Sequence, residues 1–514
     1  MQAGVIWAGT SNGLVQRTTD GGITWHNVSP SAFTPQTGVT ILEPSHFDAN
    51  TAYAAVSIGR GGGNPEIYRT HDAGKSWQKI VNGLPAGWMA RVVREDPVRP
   101  GLLYAGTENG VYVSFDDGDH WQSLQLNLPI SDNRDLAVHG DDLVVATYGR
   151  ALWILDDLTP LREASAAEAA SAASLLRPET AVRVRWDNDQ ETPLPPEVPA
   201  GQNPPDGAII DYYLKSAPSG DITLEIHDAA GHLVRRYSSA APAPDTSIKN
   251  VPDYWFGPLP RLSKNVGLNR FVWDLRYPDP PALNYSYSGN PLTYVEYTLS
   301  DHTIPGETPR DQVIGPLAVP GAYEAVLTVN GKQYRQPLEV VLDPRVRASQ
   351  ADLDDQLRAA QDISAGLAES TGAFDSIARL RAAVADREKS LAANTNAKDA
   401  ADALKSVDEK ARLIQLGAFG GSGVGPVNRD LARTLFMIET GDAAPSSTAQ
   451  EAVAESCSSL TKSLADWRAL NAKQLTAVNA QLQKLQLAPL PAASSVAADP
   501  PACRSDEEPH PGLP

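Results

Sequence analysis

Basic residues are scarce in this 514-residue chain: 43 Lys and Arg stand against 62 Asp and Glu, a formal net charge of −19. Phosphates demand a basic face, so nucleic acid and anionic membranes are excluded as partners. Cysteine is almost absent. Cys457 and Cys503 fall in a helix-like segment and a Pro-rich tail. They leave room for a tail-to-helix disulfide in an oxidising compartment, but for no disulfide framework. No run of about 18 apolar residues occurs, so no membrane-spanning helix is expected. Motifs of chemistry are missing too: the sequence holds no HExxH, GxSxG, paired CxxC, Walker or Rossmann fingerprint. The Gly420–Pro426 run lacks the Walker Lys and follows no strand, so it reads as a linker. No catalytic residue, cofactor or metal is expected. Nor does a basic and apolar leader precede the first strand-like run, Val5–Thr10, so no signal peptide is expected in the sequence as it stands.

What is there suits a globular chain of several domains. Hydrophobic content is 42%, and 514 residues are too many for one core. The strongest signal is a repeat, S/T-x-D-x-G-x-x-W. It occurs as Thr18–Trp25, Thr70–Trp77 and Ser114–Trp121. Its aspartates, Asp20, Asp72 and Asp116, lie 52 and 44 residues apart, the spacing of four-stranded propeller blades. A short β-rich run precedes each copy: Trp7–Thr10, Tyr53–Val56 and Tyr104–Thr107. Two of these runs enter Asn-Gly hairpin turns, Asn12-Gly13 and Asn109-Gly110. A fourth, degenerate copy at Val145–Asp156 aligns on the third at a constant offset of 40 and keeps Asp156 without the Gly and Trp.

The chemistry of the motif is local. The carboxylate can accept hydrogen bonds across a tight turn. Gly22, Gly74 and Gly118 can supply φ > 0, and Trp25, Trp77 and Trp121 can pack between strands. The expected role of these residues is structural.

These units resemble the Asp-box, or bacterial neuraminidase, repeat of sialidases and sortilin-like propellers. The run Ala146–Arg162 resembles the closing blade of large bacterial sortilin-like proteins labelled glycosyl hydrolases, in which a sandwich and a helical tail follow the propeller. The resemblance covers nearly the whole chain. It implies a binding or scaffold protein that takes a protein, peptide or glycan ligand on its propeller. It also implies a periplasmic or extracellular place for full-length relatives. The alternative it raises is a sialidase-like glycoside hydrolase whose catalytic blades lie upstream or are missing.

The fold class expected is multi-domain, mainly β and then α: a partial, open Asp-box β-propeller, an immunoglobulin-like β-sandwich and an antiparallel helical bundle. Residues 1–160 supply about three and a half blades, so two expectations stand: the sequence is a fragment of a longer exported protein or a truncated gene product, or the missing N-terminal half of the propeller comes from another chain. Residues 161–178 read as an Ala-rich helical connector. Residues 179–345 hold the short alternating strands of the sandwich and a long Pro/Tyr-rich insert, Pro278–Gly315. Trp186, Trp255 and Trp273 there suit either a carbohydrate platform or core packing. Residues 346–488 carry helical stripes. They open on a Ser349/Asp352 capping box and are interrupted at Thr371-Gly372 and again at Gly420–Pro426. Residues 489–514 have a disordered composition. Arg150 is the one candidate for the axial face of the propeller, against the simpler reading of a salt bridge between blades.

Overall fold

The computed structural model describes residues 2–59, 63–169, 172–185, 204–242, 261–281, 283, 313–391, 397–418 and 422–491. The protein is mainly antiparallel β-structure with a helical C-terminal region. It divides into two compact units. One is residues 1–179 with 198–205 and 211–215; the other is 180–197, 206–210 and 216–514.

The first unit is a propeller-like series of four antiparallel sheets taken in chain order. The first has three strands, β1 (Ile6–Gly9), β2 (Val15–Thr18) and β3 (His26–Asn27). The second has four, β4 (Thr37–Pro44), β5 (Ala52–Ile58), β6 (Ile67–Thr70) and β7 (Gln78–Lys79). The third also has four, β8 (Ala90–Glu95), β9 (Leu103–Thr107), β10 (Val111–Ser114) and β11 (Gln122–Ser123). The fourth has three, β12 (Asp132–His139), β13 (Asp142–Tyr148) and β14 (Leu152–Leu155).

The sequence repeat reappears in the pairing register: Trp7 opposes Arg17, Tyr53 opposes Arg69 and Tyr104 opposes Val113. The fourth sheet departs from it. Leu103 opposes Ser114 but Leu143 opposes Leu155, so the constant offset of 40 fails after β13. The turn Gly149-Arg150-Ala151 has one residue more, absorbed by positive φ at Gly149 and Ala151.

Neighbouring sheets bury one another's faces. Tyr53, Ala55 and Ile67 of the second meet Val93, Leu103 and Ala105 of the third. Tyr104, Val111 and Val113 of the third meet Leu136, Leu143 and Val145 of the fourth. The alternation along each strand therefore serves two cores, one on each side. After the fourth sheet come α1 (Thr159–Ala169) and β15 (Ala173–Leu175). The helical connector expected through residue 178 thus ends early. Leu175 and Leu176 are buried and Ser174 opposes Tyr213 of β17 (Ala208–Leu214), so pairing and burial override helix propensity here.

In the second unit β16 (Ala181–Arg183) pairs parallel with β22 (Lys332–Leu342) at the edge of a five-stranded sheet. The order is β16-β22-β21-β18-β19, with β18 Thr223–Asp228, β19 Leu233–Ser238 and β21 Gly321–Val329. β20 (Gly267–Trp273) packs on that sheet through Trp273 against Tyr323 at 5.3 Å and Phe271 against Tyr237 at 4.6 Å. Trp273 is fully buried and its indole N–H goes to the Arg276 carbonyl, which leaves no ring face for a sugar. Trp186, Trp255, most of the Pro278–Gly315 insert and the tail beyond residue 491 lie outside the described residues.

The helices are α2 (Gln350–Leu391), α3 (Lys398–Leu416), α4 (Val424–Glu439), α5 (Ser447–Ala469) and α6 (Thr476–Lys484), with a π-helical turn, Leu470–Leu475, between the last two. Ser349 and Asp352 cap α2 reciprocally. The break expected at Thr371-Gly372 does not occur; α2 runs 42 residues through it. One helical glycine costs only about 1 kcal/mol, and Leu367, Ala373 and Ile377 are buried around it. Cys457 is disulfide-bonded; Cys503, the other cysteine of the sequence, lies outside the described residues. No helix among the described residues is long and apolar enough to cross a membrane.

Candidate functional site

In the first unit the box turns follow β2, β6 and β10, the strands antiparallel to β1, β5 and β9, and so gather at one edge. The opposite edge holds the starts of β4, β8 and β12 and the ends of β5, β9 and β13: Thr37 opposes Ile58, Ala90 opposes Thr107 and Asp132 opposes Tyr148. The two edges have different chemistry.

At the box edge each aspartate closes its own turn. Asp20 accepts from the Thr24 amide and hydroxyl at 2.9 and 2.6 Å and from the Thr18 hydroxyl at 2.7 Å. Asp72 does the same with Ser76 and Thr70; Asp116 accepts from the His120 amide and the Ser114 hydroxyl, with the His120 ring Nδ1 2.7 Å from its other oxygen. Bonds from Thr24 hold Asp20 well below the usual carboxylate range; those from Ser76 bring Asp72 to about 2. These carboxylates are spent on backbone and hydroxyl donors. The arginine three places into β2 and β6 also reaches across: Arg17 donates to Ala49 O, and Arg69 pairs with Asp117 at 3.1 Å. Both arginines sit one residue before the box, a periodic signal present in the sequence that the motif reading passed over.

At the opposite edge Arg91 joins Glu108 and Asp132, and Arg134 pairs with Asp132 at 2.8 Å while lying 4.9 Å over the Tyr148 ring. Deeper along the first strands, Arg94 links Glu43 and Asp135 at 2.8 Å each, tying three sheets together. Arg150 stands on this edge, exposed, and its carbonyl accepts the Trp153 indole N–H. Away from the box edge, ion pairs between sheets are made by Arg91 and Arg94, not Arg150. Nothing periodic in the sequence marks those two, and Asp132 and Asp135, which they reach, lie on another sheet. Around them Trp88, Leu126, Ile130 and Tyr148 are exposed, at 43%, 70%, 73% and 72%. Among the described residues no group of three His, Cys, Asp or Glu is arranged to hold a metal.

A third feature is electrostatic. Glu179 is half-buried near Asp157, Asp142, Asp141 and Asp156, and burial together with those charges pushes it up to about 8. A carboxyl whose folded pKa is raised stabilises fully below its unfolded value, about 4.3, and the contribution fades as pH climbs toward 8. The first unit should therefore lose stability between pH 5 and pH 8.5. Glu179→Gln should flatten that dependence by about 1–2 kcal/mol, the exposed part of the group being screened. Urea unfolding of both proteins at the two pH values measures it, and parallel pH profiles would refute it.

No family model matches the chain. It is 32% identical over 79 residues to vacuolar protein sorting/targeting protein 10 of Pyrenophora teres f. teres (strain 0-1). Among solved structures it is similar to YCF48 bound to D1 peptide, with 15% identity, 42% of this chain and 64% of that one covered, and a TM-score of 0.24. It is similar also to an ancestral GH74 enzyme, with 16% identity, 46% and 31% covered, and a TM-score of 0.26. The sorting protein is matched over 15% of this chain and about 5% of its own length, a single short stretch of a much longer relative.

Proposed function

We propose that the first unit is a non-catalytic binding scaffold for a protein or peptide, of the sortilin-like Asp-box type, and that its ligand seats on the edge opposite the box turns. The observation that carries this reading is the exposed set Trp88, Leu126, Ile130 and Tyr148 gathered at one edge beside charged Arg91 and Arg134. Aromatic anchors flanked by arginine are the composition of peptide and protein hot spots. The sorting and targeting role in the relative's name agrees with a protein ligand. The box residues are assigned a structural role, because their carboxylates are consumed within their own turns. The immunoglobulin-like type of the sandwich belongs to this proposal as well.

A glycosidase reading is less well supported. It needs two carboxylates free to act as acid and as base or nucleophile, whereas Glu108 and Asp132 on this edge are both engaged by Arg91. The test is a displayed peptide library selected on the immobilised chain. Enriched peptides should bind the Trp88→Ala/Tyr148→Ala double variant at least 10-fold more weakly, about 1.4 kcal/mol. A selection that enriches nothing, or peptides indifferent to the double variant, would remove the reading.

A further inference from the structure

In the second unit α5 and α6 form a rod with the π-helical turn inside it, and the buried positions show why. They run Leu460, Leu464, Trp467, Leu470 and then Leu475, Val478, Leu482. Each step is three or four residues except that from Leu470 to Leu475, which is five. At 3.6 residues per turn, that step would put Leu475 about 140° round from Leu470. The wider turn, with its i→i+5 bonds, keeps both leucines in the core. Asn471 Nδ2 satisfies the Trp467 carbonyl there at 2.8 Å. Turns of this kind inside α-helices recur at functional sites.

The π-turn packs on α3. Phe374 and then Arg381 of α2 meet Gln415 and then Asp408 of α3, so α2 and α3 are antiparallel. Gln356 near the start of α2 meets Gly441 just ahead of α5, and Arg387 near its end meets Ala488 just past α6. The rod of α5 and α6 is therefore parallel to α2 and antiparallel to α3. Between α3 and the π-turn lies a cleft of about 310 Å³, at the small end of the range for ligand sites, about 300–1,000 Å³. Its apolar lining is Ile414, Leu470 and Leu413, the last 42% exposed. Lys410 of α3 and Lys473 of the π-turn stand on it from opposite sides. Neither has an ion-pair partner among the described residues, whereas Lys398 at the start of α3 pairs with Asp402 at 2.7 Å. Antiparallel packing puts the two lysines at one end of the cleft. Asp466, the acid on its wall, is seven residues before Lys473, roughly 10 Å along the helix.

We propose that this cleft binds a small amphiphilic carboxylate, a free organic acid whose charge is shared by Lys410 and Lys473 and whose apolar body covers Leu413, Ile414 and Leu470. Charge complementarity and size select that occupant. Two cations without an acid beside them favour an anion, and the Gln474 amide on the same wall adds a donor. The apolar lining favours a ring or a branched chain over an inorganic ion. The volume is too small for a helix or hairpin of a protein partner. Affinity is modest, because two long side chains lose freedom on pairing. The inference is independent of the peptide-binding reading, which concerns the first unit.

The experiment titrates the full chain, labelled at its isoleucine δ1 methyl groups, with 4-phenylbutyrate and separately with 4-phenylbutanamide and inorganic phosphate. The Ile414 methyl signal is assigned by Ile414→Val. Phenylbutyrate should shift that signal and saturate it in the millimolar range. The amide, which has the same shape and no charge, should bind about 10-fold more weakly or worse, and phosphate should leave the signal unmoved. The Lys410→Gln/Lys473→Gln double variant should weaken phenylbutyrate by about the same factor. Its urea midpoint should not change, since both lysines are exposed. Lys410→Arg/Lys473→Arg, which keeps the charge, should retain binding. An Ile414 signal that phenylbutyrate does not move, an amide that binds as well as the acid, or a folded Gln double variant that binds as before overturns the proposal. A shift produced by phosphate alone overturns the amphiphile in favour of a bare anion site.

Discussion

Asp442→Ala should destabilise the second unit by about 3–5 kcal/mol, the usual penalty for stranding a buried charge. Asp442 follows α4, and Arg183 ends β16. Their side chains are 3% and 1% exposed and meet at 2.6 Å. Arg183 also donates to the Ala318 carbonyl at 2.7 Å and to Gln356 at 3.1 Å, while Arg185 shares Asp442 at 2.7 Å. Gln356, on α2, is held in turn by the Ile438 and Gly441 carbonyls. Asp442 thus bridges two guanidinium groups at the seam between sheet and helices, and Glu439 lies 3.6 Å from Arg185 as a second acid. Removing Asp442 takes from buried Arg183 its carboxylate partner, while Arg185 keeps Glu439, and the repulsion between the two guanidinium groups is then poorly screened. Burial alone would raise the Asp442 pKa, but the bonds and charges of Arg185 and Arg183 outweigh it and lower it. Its contribution is therefore complete at neutral pH and is lost only on acidification through that lowered value. Urea unfolding followed by near-ultraviolet dichroism reads the cost. A loss below about 1 kcal/mol, the value of an exposed pair, would mean the seam is open to water.

The second large effect separates residues that the repeat makes look alike. Trp121→Ala should cost the first unit about 3–5 kcal/mol. Its ring fills the core shared by the second and third sheets, and its N–H satisfies the Ile80 carbonyl. Trp25→Ala should cost under about 1 kcal/mol, because a ring that is 41% exposed and bonded to its own turn leaves no sealed cavity behind. Trp77, half-buried against Val28 and edge-on to Trp7 at 6.3 Å, should fall between. The ordering Trp121 > Trp77 > Trp25 in urea midpoints is the test. Equal losses would show that the motif stabilises its own turn and nothing beyond it.

How much of this could be read in advance differs by element. The box spacing and the strand before each box are local patterns, so the first three sheets were legible from Trp7, Tyr53, Tyr104 and the three S/T-x-D-x-G-x-x-W runs. The fourth was legible as a strand pair but not in register. A turn residue inserted at Gly149–Ala151 changes pairing without changing composition. The Ser349 cap was legible because Asp352 is three residues away. The uninterrupted α2 was not, because Gly372 is a weak helix former by itself and is held in place by burial of its neighbours. On the candidate edge, Arg150 stood out beside a tight turn, but the pairs that bind the sheets use Arg91 and Arg94, whose partners Asp132 and Asp135 lie on another sheet.

What the sequence determined by itself is whatever closes within a few residues: the turns that Asp20, Asp72 and Asp116 staple, the alternation of the strands, and the cap of α2. Their hydrogen bonds join positions two to four apart, so any chain carrying those residues forms them. Only the tertiary structure decided which of three identical tryptophans is a core residue, and that Arg183 meets an aspartate 259 positions away. Burial and charge pairing depend on which surfaces come together, and the same side chain is an anchor beside a neighbour and a solvated ring without one.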